Sequence, residues 1–202
     1  MPHRYIKKIL SANVYDVAVE TPVDLALSLS KRLENNILIK REDLQPIHSF
    51  KIRGAYNCIS QLSDVQRACG VVAASAGNHA QGVAMSAKHL GIDATIVMPN
   101  TTPDIKVNSV KALGAKVILH GDSFAQAYTY SLTLVADHGL VYIHPFDDEH
   151  TIAGQGTVAV ELLRQVEDNI DAIFVPVGGG GLIAGMSVYI KYLRPDIKII
   201  GV

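Results

Sequence analysis

The chain has 202 residues, of which 49% are hydrophobic and 18% are charged. This composition is typical of a globular chain with a packed core, and it excludes intrinsic disorder, which combines low hydrophobicity with high net charge. Eighteen basic and nineteen acidic residues give a net charge of −1, so charge gives no support for binding nucleic acid or an anionic membrane.

The cellular compartment is indicated by the cysteines and by the apolar segments. Cys58 and Cys69 are too few for a disulfide framework and form no CxxC pair, so we expect a reducing compartment, with the cytoplasm as the default. Segment 1–10 lacks the apolar core of a secretory signal. The uncharged stretch 172–190 is long enough for a membrane span. Pro176 and a run of glycines interrupt it, which favours a strand, a tight loop and a helix.

Short apolar, β-branched runs alternate with longer helical stretches along the chain. Thr21 and Pro22 are predicted to open one helix, and Gly91 and Gly139 to end two others. Continuous apolar strands are typical of burial on both faces, and strand–helix alternation implies parallel strands joined by right-handed crossovers. The fold class is therefore α/β. The predicted strands are 37–40, 71–74, 94–98, 116–119, 141–143, 173–177 and 198–202.

The last predicted strand, 198–202, is cut at its end. In open α/β sheets, ligands bind just beyond the carboxyl ends of the strands. We therefore expect the chain to be a fragment of something longer.

The strongest local motif is VPVGGGGLIAG at 175–185, in which a strand leads into four glycines and then a helix. Glycines let backbone N–H groups approach a ligand closely, and a helix N-terminus adds partial positive charge, so the motif predicts a phosphate cradle. A close-packed turn is the structural alternative, disfavoured by the entropic cost of four glycines. Gly179, Gly181 and Ala184 also match the dinucleotide fingerprint, which leaves an NAD-type oxidoreductase as an alternative function.

A second motif, SAGNHAQG at 75–82, directly follows the predicted strand 71–74. Free N–H groups at the start of a helix can hold a carboxylate, and the Asn78 amide can reach a second ligand atom. A capping Ser75 with an incidental His79 explains the same residues equally well.

A third motif, HSFKIRGA at 48–55, places Lys51 after an aromatic residue at a predicted helix start. An apolar pocket and a helix N-terminus both disfavour the ammonium form, which favours a free amine able to form a Schiff base. A solvated surface position is far more common for a single lysine. Only the combination with the other two motifs favours the chemical role.

Four polar residues at 144–150 resemble a metal cluster at first sight. Their spacing matches no standard site, so we predict a polar loop there and no metal. These residues are His144, Asp147, Asp148 and His150.

Together and in this order, 48–55, 75–82 and 178–182 closely resemble the fold-type II pyridoxal-phosphate enzymes. Within them, the chain resembles the threonine dehydratases (threonine deaminases), with serine dehydratases and serine racemases as near relatives. The stretches 40–43 and 152–157 are similar to the same family. The combination of the three motifs is highly specific, although each motif alone is not.

The resemblance extends from about Tyr15 to Val202. It implies two open parallel-sheet domains of the tryptophan synthase β-like pyridoxal-phosphate-dependent type. Residues 55–144 would form the small α/β domain, and 1–54 with 145–202 would form the first part of an incomplete large, cofactor-binding domain.

The resemblance also implies a role for each motif around the cofactor pyridoxal 5′-phosphate. Lys51 would hold it as a Schiff base, Phe50 would pack near its pyridine ring, and Asn78 would hydrogen-bond its phenolic oxygen. The residues implied to hold its phosphate by backbone N–H groups are Gly178, Gly179, Gly180, Gly181 and Leu182. Those implied to bind the substrate carboxylate through their loop are Ser75, Gly77 and His79.

The implied reaction is the deamination of L-threonine to 2-oxobutanoate and ammonia, the first step of isoleucine biosynthesis, by a homo-oligomer at full length. Racemases of this group carry a second serine where Ala76 stands. Alanine cannot transfer a proton, so we expect elimination rather than racemisation. The alternatives are an L-serine dehydratase or racemase, or an inactive fragment that binds ligand without turnover. We expect weak or no activity from these 202 residues alone.

Overall fold

The structure, a computed structural model, describes residues 2–167 and 169–202. The helices are α1 Pro2–Leu10, α2 Leu27–Leu33, α3 Lys51–Ser60, α4 Asp64–Cys69, α5 Asn78–Leu90, α6 Asp104–Ala112, α7 Phe124–His138, α8 Glu149–Gln165 and α9 Gly181–Leu193, with a 3-10 turn at Glu42–Leu44. The strands are β1 Val23–Leu25, β2 Leu38–Lys40, β3 Val71–Ala74, β4 Ala94–Met98, β5 Lys116–Leu119, β6 Val141–Tyr142, β7 Ala172–Val175 and β8 Lys198–Gly201.

The largest sheet is parallel and has the strand order β5-β4-β3-β6. Its central strands β3 and β4 are almost entirely buried, as the continuous apolar runs predict. Val71 and Ala73 pack toward α5 and α6, whereas Val72 packs toward α7 on the other face. The alternation of side chains along a strand thus produces three layers, helix–sheet–helix, and confirms the α/β class.

A second parallel pair, β7 and β8, is covered by α8 and α9. Val175 from β7 packs there with Val158 from α8 and with Met186 and Ile190 from α9. The predicted strands 173–177 and 198–202 are confirmed to within two residues at each end. The described part of the chain contains no helix long and apolar enough to cross a membrane.

One helix prediction is wrong. Thr21 and Pro22 lead into strand β1, which pairs with β2 as an antiparallel hairpin, and the next helix begins only at Leu27. Tertiary contacts decide this segment: the Thr21 hydroxyl donates to Glu42, and the Thr21 carbonyl accepts from Lys40 Nζ. By contrast, Gly91 and Gly139 end α5 and α7 in the left-handed conformation, as predicted.

Helix α8 lies between α3 and α9 and contacts both through glycines. A Cβ added to Gly154 would lie 2.7 Å from Cα of Gly54 in α3, and one added to Gly185 in α9 would lie 3.0 Å from Cα of Gly156. Without side chains at these crossings, the backbones approach closely. Helix α8 therefore fixes α3 and α9, the two helices that carry the lysine and glycine motifs.

Candidate active site

Lys51 is the first residue of α3, as its motif predicts. Its Nζ donates to the carbonyl oxygen of Pro145 at 2.7 Å and lies 5.6 Å from the ring centroid of Phe50. Burial lowers the pKa of Lys51 from its ordinary value, because the charged form loses hydration. The structure therefore favours the free amine more than a surface position would.

The glycine loop connects β7 to α9. Val177 donates to Val202, and Ala184 donates to Gly180, but the N–H groups of 178–183 have no hydrogen-bond acceptor within the described residues. Gly180 has φ of 88°, a left-handed conformation that glycine adopts without strain. The loop thus offers a run of free donors at the positive end of a 13-residue helix, an arrangement suited to phosphate.

The 75–82 loop connects β3 to α5. The Ser75 hydroxyl accepts from the N–H of Gly77 at 3.2 Å, and Asn78 is exposed as the first residue of α5. Within the described residues, the N–H groups of 78–80 have no acceptor. The first turn of α5 is therefore available for an anion such as a carboxylate.

His79 differs from its neighbours because its side chain is buried. Its Nε2 lies 2.9 Å from the carbonyl oxygen of Ile143, so Nε2 carries the proton and donates. Burial lowers the pKa of His79 to about 4, which keeps the imidazole neutral near neutral pH. Nε2 is engaged with Ile143, whereas the buried Nδ1 and the backbone N–H of His79 have no hydrogen-bond partner within the described residues.

The segment 143–148, between β6 and α8, brings the three motifs together. Its Ile143 carbonyl accepts from His79, and its Pro145 carbonyl accepts from Lys51. Its Phe146 ring packs on the glycine loop, where a Cβ added to Gly179 would lie 2.1 Å from the ring. Lys51, the 75–82 loop and the glycine loop therefore border the same short stretch of backbone.

The polar residues of this segment shape the loop. His144 Nδ1 accepts the N–H groups of Phe146 and Asp147 at 3.3 and 2.7 Å, so its proton lies on Nε2. Burial lowers the pKa of His144. Asp148 caps α8, accepting from the N–H groups of His150 and Thr151, the second and third residues of the helix.

The sequence pattern of this segment predicts only a polar loop and by itself gives no sign of its position in the site. One signal was present: 143–148 follows β6, and 75–82 follows β3. Because β3 and β6 are parallel neighbours, the loops at their carboxyl ends lie side by side. To predict that these two loops are neighbours, one must know the order of the strands in the sheet, and the sequence does not give that order.

Known proteins are similar to this chain over almost its whole length. "Threonine dehydratase 1 biosynthetic, chloroplastic" from Solanum lycopersicum is 59% identical over 200 residues, covering 99% of this chain and 33% of that protein. The chain thus spans about a third of the length of this curated relative.

Two solved structures are also similar. The processed form of threonine deaminase isoform 2 from Solanum lycopersicum has a TM-score of 0.96 at 53% identity, covering 99% of this chain and 55% of that one. Maize serine racemase has a TM-score of 0.92 at 39% identity, covering 98% and 60%. Residues 14–202 match the family model described as "Pyridoxal-phosphate dependent enzyme". The chain therefore belongs to the family of pyridoxal-phosphate-dependent enzymes.

Proposed function

We propose that the chain supplies the lysine and phosphate-binding parts of an ammonia-lyase that dehydrates and deaminates L-threonine to 2-oxobutanoate and ammonia. The observation that carries the proposal is the convergence of Lys51, the 75–82 loop and the glycine loop on segment 143–148. Threonine as the substrate is supported by the name of the relative that is 59% identical.

The residues fit pyridoxal phosphate at both its aldehyde and its phosphate group. The aldehyde requires an uncharged amine, and burial lowers the pKa of Lys51 toward that form. The phosphate requires several hydrogen-bond donors, and 178–182 supply free backbone N–H groups at the start of α9. When bound, the cofactor supplies an electron sink that stabilises negative charge at the α-carbon of an amino acid.

The chain's own residues divide the remaining work. The N–H groups of 78–80 and the dipole of α5 would hold the substrate carboxylate, with Ser75 and Gly77 shaping the loop. This fixes the α-carbon near Lys51, whose uncharged Nζ is the base that takes the α-proton. Phe50 would pack near the cofactor ring, and Asn78 would hydrogen-bond its phenolic oxygen.

Serine dehydration or racemisation is the second candidate, because the fold is also close to that of maize serine racemase. Racemisation requires an acid on the face of the substrate opposite the base. Ala76, between Ser75 and Gly77, has only a methyl group and transfers no proton. We therefore propose elimination as the outcome.

Domain division, assembly and location are part of the proposal. Residues 55–144 would form the small domain, which is supported by a parallel sheet whose strands all lie within 71–142. The rest would belong to the large domain of a homo-oligomer. The cysteine content supports a reducing compartment, for which the cytoplasm is the default, and the chloroplast named for the Solanum relative is the alternative.

The decisive test is borohydride reduction of the natural-length protein after incubation with pyridoxal phosphate, followed by peptide mass spectrometry. We expect an adduct on Lys51 and formation of 2-oxobutanoate from L-threonine. Lys51→Ala should abolish both, whereas Lys88→Ala, at an exposed lysine of α5, should abolish neither. An adduct on another lysine, or none, would overturn the proposal, and substantial D-serine from L-serine would overturn elimination.

A further inference from the structure

We propose that Arg53 is a positioning residue for Lys51: it locks α3 onto α8 so that Lys51 Nζ stays at the Pro145 carbonyl. The inference rests on the proposed function, because it assigns a role in preparing the lysine of that site. Arg53 lies two residues after Lys51, about 200° further around the helix, and therefore on roughly the opposite side of α3.

The Arg53 guanidinium is fully buried and donates hydrogen bonds to two carboxylates. Its Nε and Nη2 donate to Glu42 at 2.8 and 2.7 Å, and its Nη1 and Nη2 donate to Glu161 of α8 at 2.5 and 2.9 Å. Thr157, one turn before Glu161, also accepts from Nη1. This two-sided fork constrains the rotation of α3 as well as its distance from α8, because each bidentate pair fixes an orientation.

The surrounding groups balance this cluster in charge and in hydrogen bonds. Lys40 Nζ donates to Glu161 at 2.6 Å, so two cations and two carboxylates sum to zero. Further donors to these carboxylates come from Tyr15, Thr21 and Gln45. A buried ionic cluster of this kind tolerates removal of one partner poorly, since an unpaired charge remains.

The Arg53 ion pairs lie where they can hold Lys51 in place. Next to Arg53, the backbones of α3 and α8 touch: a Cβ added to Gly154 would lie 2.5 Å from the Arg53 carbonyl oxygen. Helix α8 begins at Glu149, four residues after Pro145, and Asp148 caps it. The amine is thus fixed to α3 and its acceptor is fixed to α8, so the packing of these two helices sets their separation.

The test uses the natural-length protein and two variants, Arg53→Lys and Glu161→Gln. A lysine keeps the charge of Arg53 but lacks the planar fork, and a glutamine keeps the shape of Glu161 but lacks its charge. We expect kcat for threonine to fall about 10- to 100-fold with KM little changed, since a displacement of about 1 Å at a reacting group has an effect of that size.

The discriminating readout is the pH profile of Lys51 acylation in the cofactor-free protein, followed by mass spectrometry. We expect the Lys51 amine to titrate at higher pH in both variants, because it leaves its partly buried position. The titratable side chains that interact with the Lys51 charge, His79 and His144, are unchanged in each variant.

Two controls separate positioning from stability. Arg164→Lys makes the same substitution in an exposed ion pair, between Arg164 of α8 and Glu20. Val110→Ala removes buried side-chain volume from α6 and so lowers stability far from Lys51. Both should keep the parental Lys51 profile. If the folded fractions of both test variants also keep that profile and the parental kcat, Arg53 is structural only and the inference is overturned.

Two further results have a defined interpretation. Should Arg53→Lys fail to fold, Glu161→Gln alone decides by the same readouts. Should the parent protein form no cofactor adduct on Lys51, the proposed function fails, while the acylation profile still decides whether Arg53 positions that amine.

Discussion

His79 links the 75–82 loop to segment 143–148 and makes stability depend on pH. An unfolded histidine titrates near pH 6.5, whereas burial lowers the pKa of His79 to about 4. Between these values the unfolded state binds more protons, so the free energy of unfolding rises with pH. This contribution is complete above about pH 6.5, and about 3 kcal/mol of it is lost as pH falls to 4.

We predict that His79→Gln reduces this pH dependence, because an amide still donates to Ile143 but does not titrate. Urea unfolding at pH 7 and near pH 4.5 measures the difference for parent and variant. The control for loss of an imidazole is His138→Gln at the exposed end of α7. A parental slope in His79→Gln would show that the buried imidazole is not its source.

Residues differ in how much of their role a sequence can predict. Lys51 and the glycine loop are recognisable because strand, loop and helix start are contiguous in the chain. The Arg53–Glu161 pair cannot be recognised from the sequence, because its members are separated by 108 positions. No local pattern indicates which distant residues come into contact. The same limit applies to His79 and Ile143, which are 64 positions apart.

Among the elements, α8 contributes most to the relative positions of the site residues. Gly154 faces α3 and Gly156 faces α9, because residues two apart lie on roughly opposite sides of a helix. Between them, Gln155 Oε1 accepts the N–H of Gly54. The packing of α8 therefore determines the positions of both the lysine of α3 and the glycine loop before α9.

Glycines of the loop before α9 differ in what they tolerate. A Cβ at Gly179 would lie 2.1 to 2.5 Å from three ring atoms of Phe146, whereas a Cβ at Gly178 would meet nothing within 4 Å. We predict that Gly179→Ala lowers the free energy of unfolding by roughly 1–3 kcal/mol, because the ring and segment 143–148 must shift. Gly178→Ala should stay within about 0.5 kcal/mol of the parent.

Chemical denaturation of the two variants measures this difference, and titration with pyridoxal phosphate shows whether the shifted segment also weakens binding. Equal stability of both variants would mean that Phe146 moves aside freely. In that case the ring would not couple segment 143–148 to the glycine loop.

Element prediction succeeded where the hydrophobic pattern was long and failed where contacts decide. Strands β3, β4 and β5 have the predicted bounds, because continuous apolar runs between turn residues are distinctive. Strand β2 lies within the predicted strand 37–40, whereas the three residues of β1 are partly or fully exposed and give no such pattern. Thr21 and Pro22 are consistent locally with a helix start, and only Glu42 and Lys40 decide otherwise.

In the whole molecule, the candidate site lies at the carboxyl ends of parallel strands. Strand β3 leads into the 75–82 loop, β6 into segment 143–148, and β7 into the glycine loop. For the first two loops this placement follows from the parallel pairing of β3 and β6 in one sheet, whereas β7 belongs to a separate two-stranded sheet. The sequence therefore predicts a function for the 75–82 loop and the glycine loop but not for segment 143–148, and the packing of α8 determines how the three meet.

The pair β7–β8 leaves apolar surface exposed. The relative exposure of Phe174 is 65% and that of Val202 is 69%, and within the described residues these two strands pair only with each other. A two-stranded parallel sheet is marginal alone, and open apolar edges promote association. We predict that the 202-residue chain expressed by itself self-associates through this surface, and that Phe174→Lys reduces the association because it places a charge there.

Sedimentation velocity across a concentration series measures the effect. Ile105→Lys is the matched control, since Ile105 is 76% exposed on α6, which packs against the four-stranded sheet and not against β7–β8. The same added charge should leave association unchanged at that position. A monomer at every concentration would contradict the prediction, and so would equal effects of the two substitutions, because association would then depend on net charge and not on the β7–β8 surface.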